Sequence, residues 1–283
     1  MKQLIINGDD FGLSSSVNQA IIHAHQEGIL TSTSLMVTGS AFAEAVALAK
    51  QNPRLGVGLH LTLVCGRSQL SYREIPHLVN EQGHFLNDPV QAGLRYQFSA
   101  SARQELKQEI QAQLQAFQAT GLPLSHVDGH LHLHTHPVIL GILKELAPKF
   151  KIPFIRLPYE ELNFTLKISP HNSWLKLIQS QIFTQLRRHG EKLLAQTSVG
   201  LCDRVYGILQ TGQIDESYLL QLLLPIQANR VEIYAHPDTL SPAINPQGPL
   251  ELAALLSPKV RDRLEKEGFQ LVNYHQIKSI SVL

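Results

Sequence analysis

The sequence predicts an α/β fold in which parallel strands alternate with helices and curl into a (β/α) barrel, TIM-like and allowed to be irregular or incomplete. Three observations predict it. Short β-branched runs alternate with amphipathic stretches, about seven such units fit a barrel of this chain length, and the polar residues that could form a site stand at strand ends. The alternative is an open doubly wound sheet. No Gly-x-Gly-x-x-Gly motif follows the first strand, which argues against the dinucleotide-binding version of that sheet.

The composition is that of a single globular domain over residues 1–283, and it excludes several classes of function. Hydrophobic residues make up 43% and charged residues 17%, which suits a sizeable core. Lys+Arg 24 against Asp+Glu 23 gives a net charge of +1 without a polybasic run, so no nucleic-acid partner is expected. Cys65 and Cys202 lack redox or metal spacing. The first residues lack a signal-peptide layout and no stretch could span a bilayer, so the expected location is cytoplasmic.

Hydrophobic periodicity and the positions of Gly, Pro and Ser define the predicted elements. In the first part of the chain they are strands at 4–6, 31–37 and 55–62, and helices from Ser15 or Ser16 to Gly28 and over 41–50. Later they are helices at 102–119, 137–150, 215–224 and 257–267, and strands at 154–157, 231–236 and 269–272. The first strand is predicted to break into a Gly-rich loop from Asn7 onward, with Asp9 and Asp10 at the strand end.

Two segments interrupt the alternation of strands and helices. Residues 64–99 have scattered Gly, Pro and His with weak periodicity, which is more typical of a functional lid than of a connector, so we predict a lid insertion over 64–100. Residues 159–200 are predicted to be a helical insertion. Its apolar side chains (Leu162, Phe164, Leu166, Trp174, Leu177, Ile178, Phe183) lie close in sequence to Lys167, Lys176, Arg187 and Arg188. Either these side chains form a core helix or a homodimer surface, or they make a peripheral contact with a membrane.

The chain is organised around residues 126–136, HVDGHLHLHTH, which place five histidines and Asp128 within eleven positions. Val127, Leu131 and Leu133 alternate with the polar residues, so the segment is predicted to leave a strand with its imidazoles on one side. Imidazole is a common ligand of divalent metals and a proton carrier near neutral pH. The alternative is a solvated His-rich turn.

Other strand ends supply the remaining polar groups, namely Asp9 with Asp10, His60, Arg156 and His236. Each alone has an ordinary explanation, because aspartates cap helices, histidines pack in cores and arginines pair with surface carboxylates. A barrel would bring them together on one face. One carboxylate and two imidazoles can hold a water-activating metal, while a further carboxylate accepts a proton and a further imidazole donates one. This arrangement indicates hydrolysis.

Four motifs resemble those of the YdjC-like carbohydrate deacetylases: NGDDFG at 7–12, GLHLT at 58–62, HVDGHLHLH at 126–134 and AHP at 235–237. Their order and spacing agree with that family over most of the chain. The resemblance implies a metal-dependent deacetylase with a variant (β/α) barrel, related to chitooligosaccharide deacetylases. DRVYG at 203–207 and GQIDE at 212–216 are similar to the hopanoid-biosynthesis-associated branch.

The resemblance also implies roles for individual residues. The implied metal ligands are Asp10, His60 and His130. Asp9 would be the general base and His236 the general acid for the leaving amine. The residues alone leave open which of the two aspartates is the base and which is the ligand.

Around these groups the resemblance implies an outer set of residues. Arg156 is similar to an arginine that orients the base in polysaccharide deacetylases, and Asp128 and His132 would contact substrate or orient ligands. His134 and His136 receive no role. Leu131 interrupts the histidine run seen in some relatives.

The expected cofactor is one divalent metal ion, Mg or Zn. Two imidazoles favour zinc, whereas magnesium prefers oxygen ligands. The expected substrate is an N-acetylated amino sugar, either on a glycolipid such as an N-acetylglucosaminyl hopanoid or on a soluble chitooligosaccharide. A phosphoesterase would need more basic residues than Arg156 around its phosphate. A non-catalytic sugar- or metal-binding protein would not need both Asp9 and His236.

Overall fold

The computed structural model describes residues 2–240 and 247–277. The strands are β1 (Lys2–Phe11), β2 (Ser32–Leu35), β3 (Gly56–Leu61), β4 (Val127–Gly129), β5 (Arg204–Tyr206), β6 (Arg230–Ala235) and β7 (Phe269–Leu271). The helices are α1 (Ser15–Gln26), α2 (Phe42–Gln51), α3 (Pro89–Phe98), α4 (Ala100–Ala119), α5 (Pro137–Phe150), α6 (Leu162–Ile168), α7 (Ser173–Leu194), α8 (Glu216–Leu222), α9 (Gly248–Leu256) and α10 (Pro258–Lys266). Within these two ranges, no helix is long and apolar enough to cross a membrane.

The strands form one parallel sheet in the order β4-β3-β2-β1-β6-β5, and β7 pairs with the start of β1. Isolated bridges from Val127 to Ile155 and from Phe154 to Gly200 extend the sheet beyond β4. The predicted strand at 154–157 is represented only by these bridges. The sheet curls into a half-barrel surrounded by helices, which confirms the predicted (β/α) barrel in its incomplete form.

The two faces of the sheet differ in chemistry. Successive side chains of a strand point to opposite faces of the sheet. On one face, Leu4 and Ile6 of β1 pack into the main core beneath the helices. Across the sheet, Asn7 of β1 pairs in register with Ser32 of β2 and with Tyr234 of β6. The inside of the half-barrel is therefore polar although it is buried. Its polar residues, each no more than 2% exposed, include Asn7, Asp9, Ser34, His60, Asp128, Arg156 and Glu232.

The start of the chain departs from the prediction in two places. β1 continues through Asp9 and Asp10 to Phe11, so the loop predicted from Asn7 onward is wrong. In a sequence, a run of polar residues usually indicates a loop. Here such residues belong to a strand, because they face the polar interior of the half-barrel. Helix α1 is capped by Ser14, whose hydroxyl accepts a hydrogen bond from the Val17 amide at 3.2 Å. The predicted caps were Ser15 or Ser16.

The histidine-rich segment does not leave β4 as an extended strand. It forms a 3₁₀ turn over His130–Thr135, in which Leu131 (φ 51°) and His132 (φ 55°) are left-handed. Left-handed residues end the two-residue alternation of a strand. The prediction that the imidazoles share one side is therefore wrong.

Two helices, α3 and α9, were not expected from the sequence. Helix α3 falls inside the predicted lid, where the Asp88 carboxylate caps it and Pro89 occupies its first turn. The rest of that segment is tied to α4 by buried side chains one turn apart. Glu109 accepts the backbone amides of Gln69 and Leu70. Gln113 accepts the amide of Thr62, just before the segment, and donates to the carbonyl oxygen of the same residue. The lid at 64–100 and the helical insertion at 159–200 remain predictions as units of the domain.

Candidate active site

Three potential metal ligands meet at the carboxyl ends of neighbouring strands. Asp10 is the residue before the last of β1, His60 lies near the end of β3 and His130 follows β4. Asp10 Oδ1 is 3.2 Å from His60 Nε2 and 3.0 Å from His130 Nδ1. The three ligand atoms lie within 4.8 Å of one another and could hold one metal ion. The donor set, two imidazoles and a carboxylate, fits a divalent cation.

The backbone of Asp10 explains how two adjacent aspartates both serve the site. In a regular strand their side chains would point to opposite faces of the sheet. Asp10 is left-handed (φ 64°), and the pairing of β1 with β2 shifts register between Gly8 and Phe11. Asp10 therefore reaches the imidazoles while Asp9 stays inside the half-barrel.

The electrostatics of the three candidate ligands Asp10, His60 and His130, called the triad below, favour a bound positive charge. Burial would lower the pKa of His60, but the carboxylates of Asp128 and Asp10 outweigh it and raise that pKa to about 10. Burial would raise the pKa of Asp10, but hydrogen bonds and charge from His130 and His60 hold it well below the ordinary value. A divalent cation between these groups would supply the positive charge that a proton on the imidazole otherwise provides.

Asp128 connects the triad to the interior of the half-barrel. Its Oδ1 is 2.8 Å from His60 Nδ1, which orients that ring and leaves Nε2 toward Asp10. Its Oδ2 accepts the hydroxyl of Ser34 at 2.6 Å and lies 2.9 Å from Arg156 Nη1. Asp128 thus orients a candidate ligand and is itself fixed on both oxygens.

Arg156 holds Asp9 in a bidentate contact. Its Nη1 and Nη2 donate to Asp9 Oδ2 and Oδ1 at 2.7 and 2.8 Å, and the Asn7 amide donates to Oδ1 at 2.7 Å. Burial would lower the pKa of Arg156, but Asp128, Asp9 and Glu232 raise it well above its ordinary value, so the guanidinium remains charged. His236 Nε2 is 3.9 Å from Asp9 Oδ2. The predicted base and acid are therefore neighbours.

A cleft opens over these groups. It has a volume of about 350 Å³ and is lined by Asp9, Asp10 and His236 together with Leu13, Ser14, Val17, Pro237, Asp238 and Leu240. Its three carboxylates, one imidazole and apolar walls could accommodate a small polar group that carries a methyl. A larger groove of about 620 Å³ along α4 has glutamines and no histidine among its lining residues, so the smaller cleft is the candidate site.

The other histidines of the 126–136 segment lie away from the triad. His132 Nε2 is 2.8 Å from the Tyr234 hydroxyl, and burial holds its pKa well below the ordinary value. His134 Nε2 is 2.7 Å from the carbonyl oxygen of Arg156, and burial lowers its pKa to about 4. His136 caps α5. The rings of His132 and His134 are therefore neutral, and His132 reaches the site through Tyr234.

The sequence assigns no role to several residues of the buried network around Asp9, Asp128 and Arg156. They include Asn7, Ser34, His126, Glu232 and Tyr274. Glu232 had a signal, because it is a lone carboxylate in the apolar run 231–235 and has the same parity as His236. Ser34 and Tyr274 had none, because hydroxyl groups are common in strands and turns.

The fold and the site together define a class of protein, a (β/α) half-barrel with an acid–histidine cluster that could hold a cation at the carboxyl ends of its strands. The chain belongs to the YdjC-like family, whose sequence profile matches residues 3–266. A carbohydrate deacetylase of Brevibacillus brevis is 34% identical over 97% of this chain and 99% of its own length. A carbohydrate deacetylase of Vibrio parahaemolyticus is 31% identical over 99% of this chain and 98% of its own. The crystal structure of a candidate cellobiose-phosphate cleavage protein from Enterococcus faecalis superimposes with a TM-score of 0.74 at 28% identity, covering 97% of this chain and 98% of that one.

Proposed function

We propose that this protein is a metal-dependent hydrolase that removes the N-acetyl group from an amino sugar. The observation that carries the proposal is the cluster of Asp10, His60 and His130 next to a cleft that Asp9, Asp10 and His236 line. The family membership and the carbohydrate deacetylases among the relatives support it.

Each side chain has a part that its position supports. Asp10, His60 and His130 would hold the cation, which when bound polarises a carbonyl and makes water more acidic. Asp9, fixed by Arg156, accepts a proton from the water that attacks the amide carbon. His236 donates a proton to the nitrogen as the carbon–nitrogen bond breaks. Acetate and a free amine result.

The test is acetate release from N-acetylglucosamine conjugates by the purified protein, with and without a chelator. We expect turnover that the chelator abolishes and that either Zn²⁺ or Mg²⁺ restores. The restoring metal, together with the metal content of the protein as purified, identifies the cation. Turnover that survives complete metal removal would reject the metal-dependent reaction, and a lack of acetate release at any metal loading would reject deacetylation of these sugars.

We further propose that the acetylated sugar is lipid-linked, as in an N-acetylglucosaminyl hopanoid. Helix α7 exposes Trp174 (64%), Ile178 (50%) and Ile182 (51%) on one face, and the ring of Phe183 lies 5.9 Å from that of His132 beside the site. An exposed apolar face so close to a site is suited to peripheral membrane contact. Of the basic residues expected there, Lys176 and Arg187 are buried and bonded within the protein, which leaves Lys167 and Arg188 to attract an anionic surface.

The lipid-linked substrate is tested by comparing kcat/KM for a glycolipid and for a soluble chitooligosaccharide, with vesicle binding measured alongside. The triple variant Trp174→Ser, Ile178→Ser, Ile182→Ser should lose the preference for the glycolipid and keep turnover of the soluble sugar. If the wild-type protein prefers the soluble sugar or ignores vesicles, the substrate is soluble. If the wild-type protein is then a dimer that the triple variant disrupts, α7 is a homodimer surface.

A further inference from the structure

Each of the three nitrogens of the Arg156 guanidinium contacts a carboxylate. Nη1 contacts Asp9 and Asp128 at 2.7 and 2.9 Å, and Nη2 contacts Asp9 at 2.8 Å and Glu232 at 2.7 Å. Nε donates to Glu232 Oε1 at 2.9 Å. Three N–H groups of the guanidinium therefore donate hydrogen bonds to carboxylates, and Nη1 and Nη2 each make a further ion-pair contact. One edge of the group holds the two carboxylates that serve the reaction, and the other edge is held by Glu232.

Glu232 lies beneath the site and not in it. It sits in β6, is 0% exposed and does not line the cleft over Asp9. Its Oε1 accepts the Nε–H of Arg156 and lies 2.7 Å from Nη2, and its Oε2 accepts the hydroxyl of Tyr274. Burial raises the pKa of Tyr274 well above its ordinary value, so this hydroxyl keeps its proton and acts as the donor. Both oxygens of Glu232 are thereby fixed.

Tyr274 closes the network from the far end of the chain. It lies in a short 3₁₀ turn, Tyr274–Gln276, which follows β7, and its ring stacks on His126 with centroids 4.0 Å apart. His126 Nε2 is 3.0 Å from the hydroxyl of Ser34, and Ser34 donates to Asp128. The contacts therefore form a ring that runs from Tyr274 through His126, Ser34 and Asp128 to Arg156 and back through Glu232.

Charge balance does not explain Glu232. Asp9 and Asp128 already place two negative charges against the single positive charge of Arg156. Burying a third carboxylate beside them costs free energy unless well-aligned ion pairs and hydrogen bonds satisfy its oxygens. A neutral side chain of similar size would have been cheaper if it needed only to fill space. What Glu232 adds is a fixed acceptor for the Nε edge, which determines how the plane of the guanidinium is oriented.

We infer that Glu232, locked by Tyr274, is a positioning residue that sets the orientation of Arg156 and through it the geometry of both Asp9 and Asp128. Without it, the Nε–H of a buried guanidinium loses its acceptor and Nη2 loses an ion-pair contact, so the group can rotate about its contacts with Asp9. A displacement of about 1 Å at a reacting group can lower a rate about 100-fold. The kinetic part of this inference rests on the proposed deacetylation, whereas the orientation of Arg156 does not.

Three substitutions separate positioning from general stability. Glu232→Gln keeps the shape and removes the charged acceptor, and Tyr274→Phe removes only the hydroxyl that locks Glu232. Glu109→Gln is the matched control, because Glu109 is also a 0% exposed carboxylate but binds the amides of Gln69 and Leu70 beside α4. Acetate release gives kcat and KM for each metal-loaded variant. The hydrogen exchange of the Arg156 Nε–H, followed by ¹⁵N NMR with labelled arginine, reports the orientation without any need for activity.

We expect Glu232→Gln to lower kcat about 10- to 100-fold with KM within about 2-fold of wild type, and to accelerate exchange of the Arg156 Nε–H. Tyr274→Phe should also lower kcat and accelerate the Arg156 exchange, but by less than Glu232→Gln. It replaces Glu232→Gln in the test if that variant does not fold. Glu109→Gln should leave kcat, KM and the Arg156 exchange unchanged. Wild-type exchange in a folded Glu232→Gln protein, or an equal loss of kcat in Glu109→Gln, would overturn the inference. If the wild-type protein releases no acetate, the proposed function fails and the exchange measurement alone decides the positioning role.

Discussion

Asp9 and Asp10 show how backbone conformation gives neighbouring carboxylates different partners. Asp9 is held by the guanidinium of Arg156 and the amide of Asn7, whereas Asp10 faces the two imidazoles of His60 and His130. The first environment fixes an acceptor for a proton, and the second offers an oxygen ligand. The two residues should therefore respond differently to the same substitution.

Asp9→Asn should lower kcat by roughly two to four orders of magnitude while metal content stays at the wild-type level, because the amide keeps the shape and loses the basicity. Acetate release by metal-loaded protein, together with metal analysis, measures both effects. Near-normal turnover would remove Asp9 as the base. Loss of the metal from this variant would mean that the roles of the two aspartates are reversed.

His60→Ala should lower the metal content and abolish turnover, because it removes one of the two imidazoles and leaves Asp128 without its ring partner. Metal analysis after dialysis measures this. His136→Ala is the control, since His136 caps α5 and contacts neither Asp10 nor His60 in the structure. Full metal occupancy in His60→Ala would exclude His60 from the ligand set.

At the scale of elements, the order of strands and helices could be predicted from the sequence, but the paths of the two motifs that form the site could not. Apolar periodicity located β2, β3, α4 and α5 to within a few residues. It failed at Asp10 and at Leu131, where the left-handed backbone turns the chain and no local pattern marks the change. The ligand residue types were recognisable because acids and imidazoles carry a chemical signal, whereas a positive φ at an ordinary residue carries none.

The turn at Leu131 gives a test of that backbone. A left-handed residue with a Cβ costs about 1 kcal/mol or more, so Leu131→Gly should have a higher free energy of unfolding than Leu131→Ala by about 1 kcal/mol. Urea denaturation measures the difference. Leu175 in α7 is a partly exposed control where the order should reverse, because glycine destabilises a helix by about 1 kcal/mol relative to alanine. An Ala variant at 131 as stable as the Gly variant would contradict the left-handed turn.

At the scale of the whole molecule, the site depends on chain segments that the sequence gives no reason to associate. Glu232 in β6 and Tyr274 near the end of the described chain complete a network whose ligands come from β1, β3 and the segment after β4. A pattern could identify the lone carboxylate in an apolar strand. The partner of that carboxylate could not be predicted, because it is fixed by how β7 packs against β1 and returns the chain to the interior.

Another buried carboxylate, Glu160, should contribute a loss of stability to the whole protein as the pH rises. It joins the segment before α6 to the segment after β5, accepting the Leu209 amide at 2.8 Å and the Thr165 hydroxyl at 2.9 Å. Burial raises its pKa from the ordinary value of 4.5 to about 7. Between these two pH values the folded protein keeps a proton that the unfolded chain has lost. Each pH unit of that interval then lowers the free energy of unfolding by up to about 1.4 kcal/mol.

Glu160→Gln removes this titration, so its free energy of unfolding, measured by denaturation from about pH 4.5 to 7, should fall less steeply with pH than that of the wild-type protein. Glu216→Gln is the control, because hydrogen bonds from Ser257 and Lys259 lower the pKa of Glu216 below the ordinary value of 4.5, so its titration lies below this pH range and its loss should leave the slope nearly unchanged. The comparison uses the slope and not the absolute stability, since the amide also disturbs the contacts with Leu209 and Thr165. Equal slopes for wild type and Glu160→Gln would show that Glu160 titrates normally and that its burial does not link folding to pH.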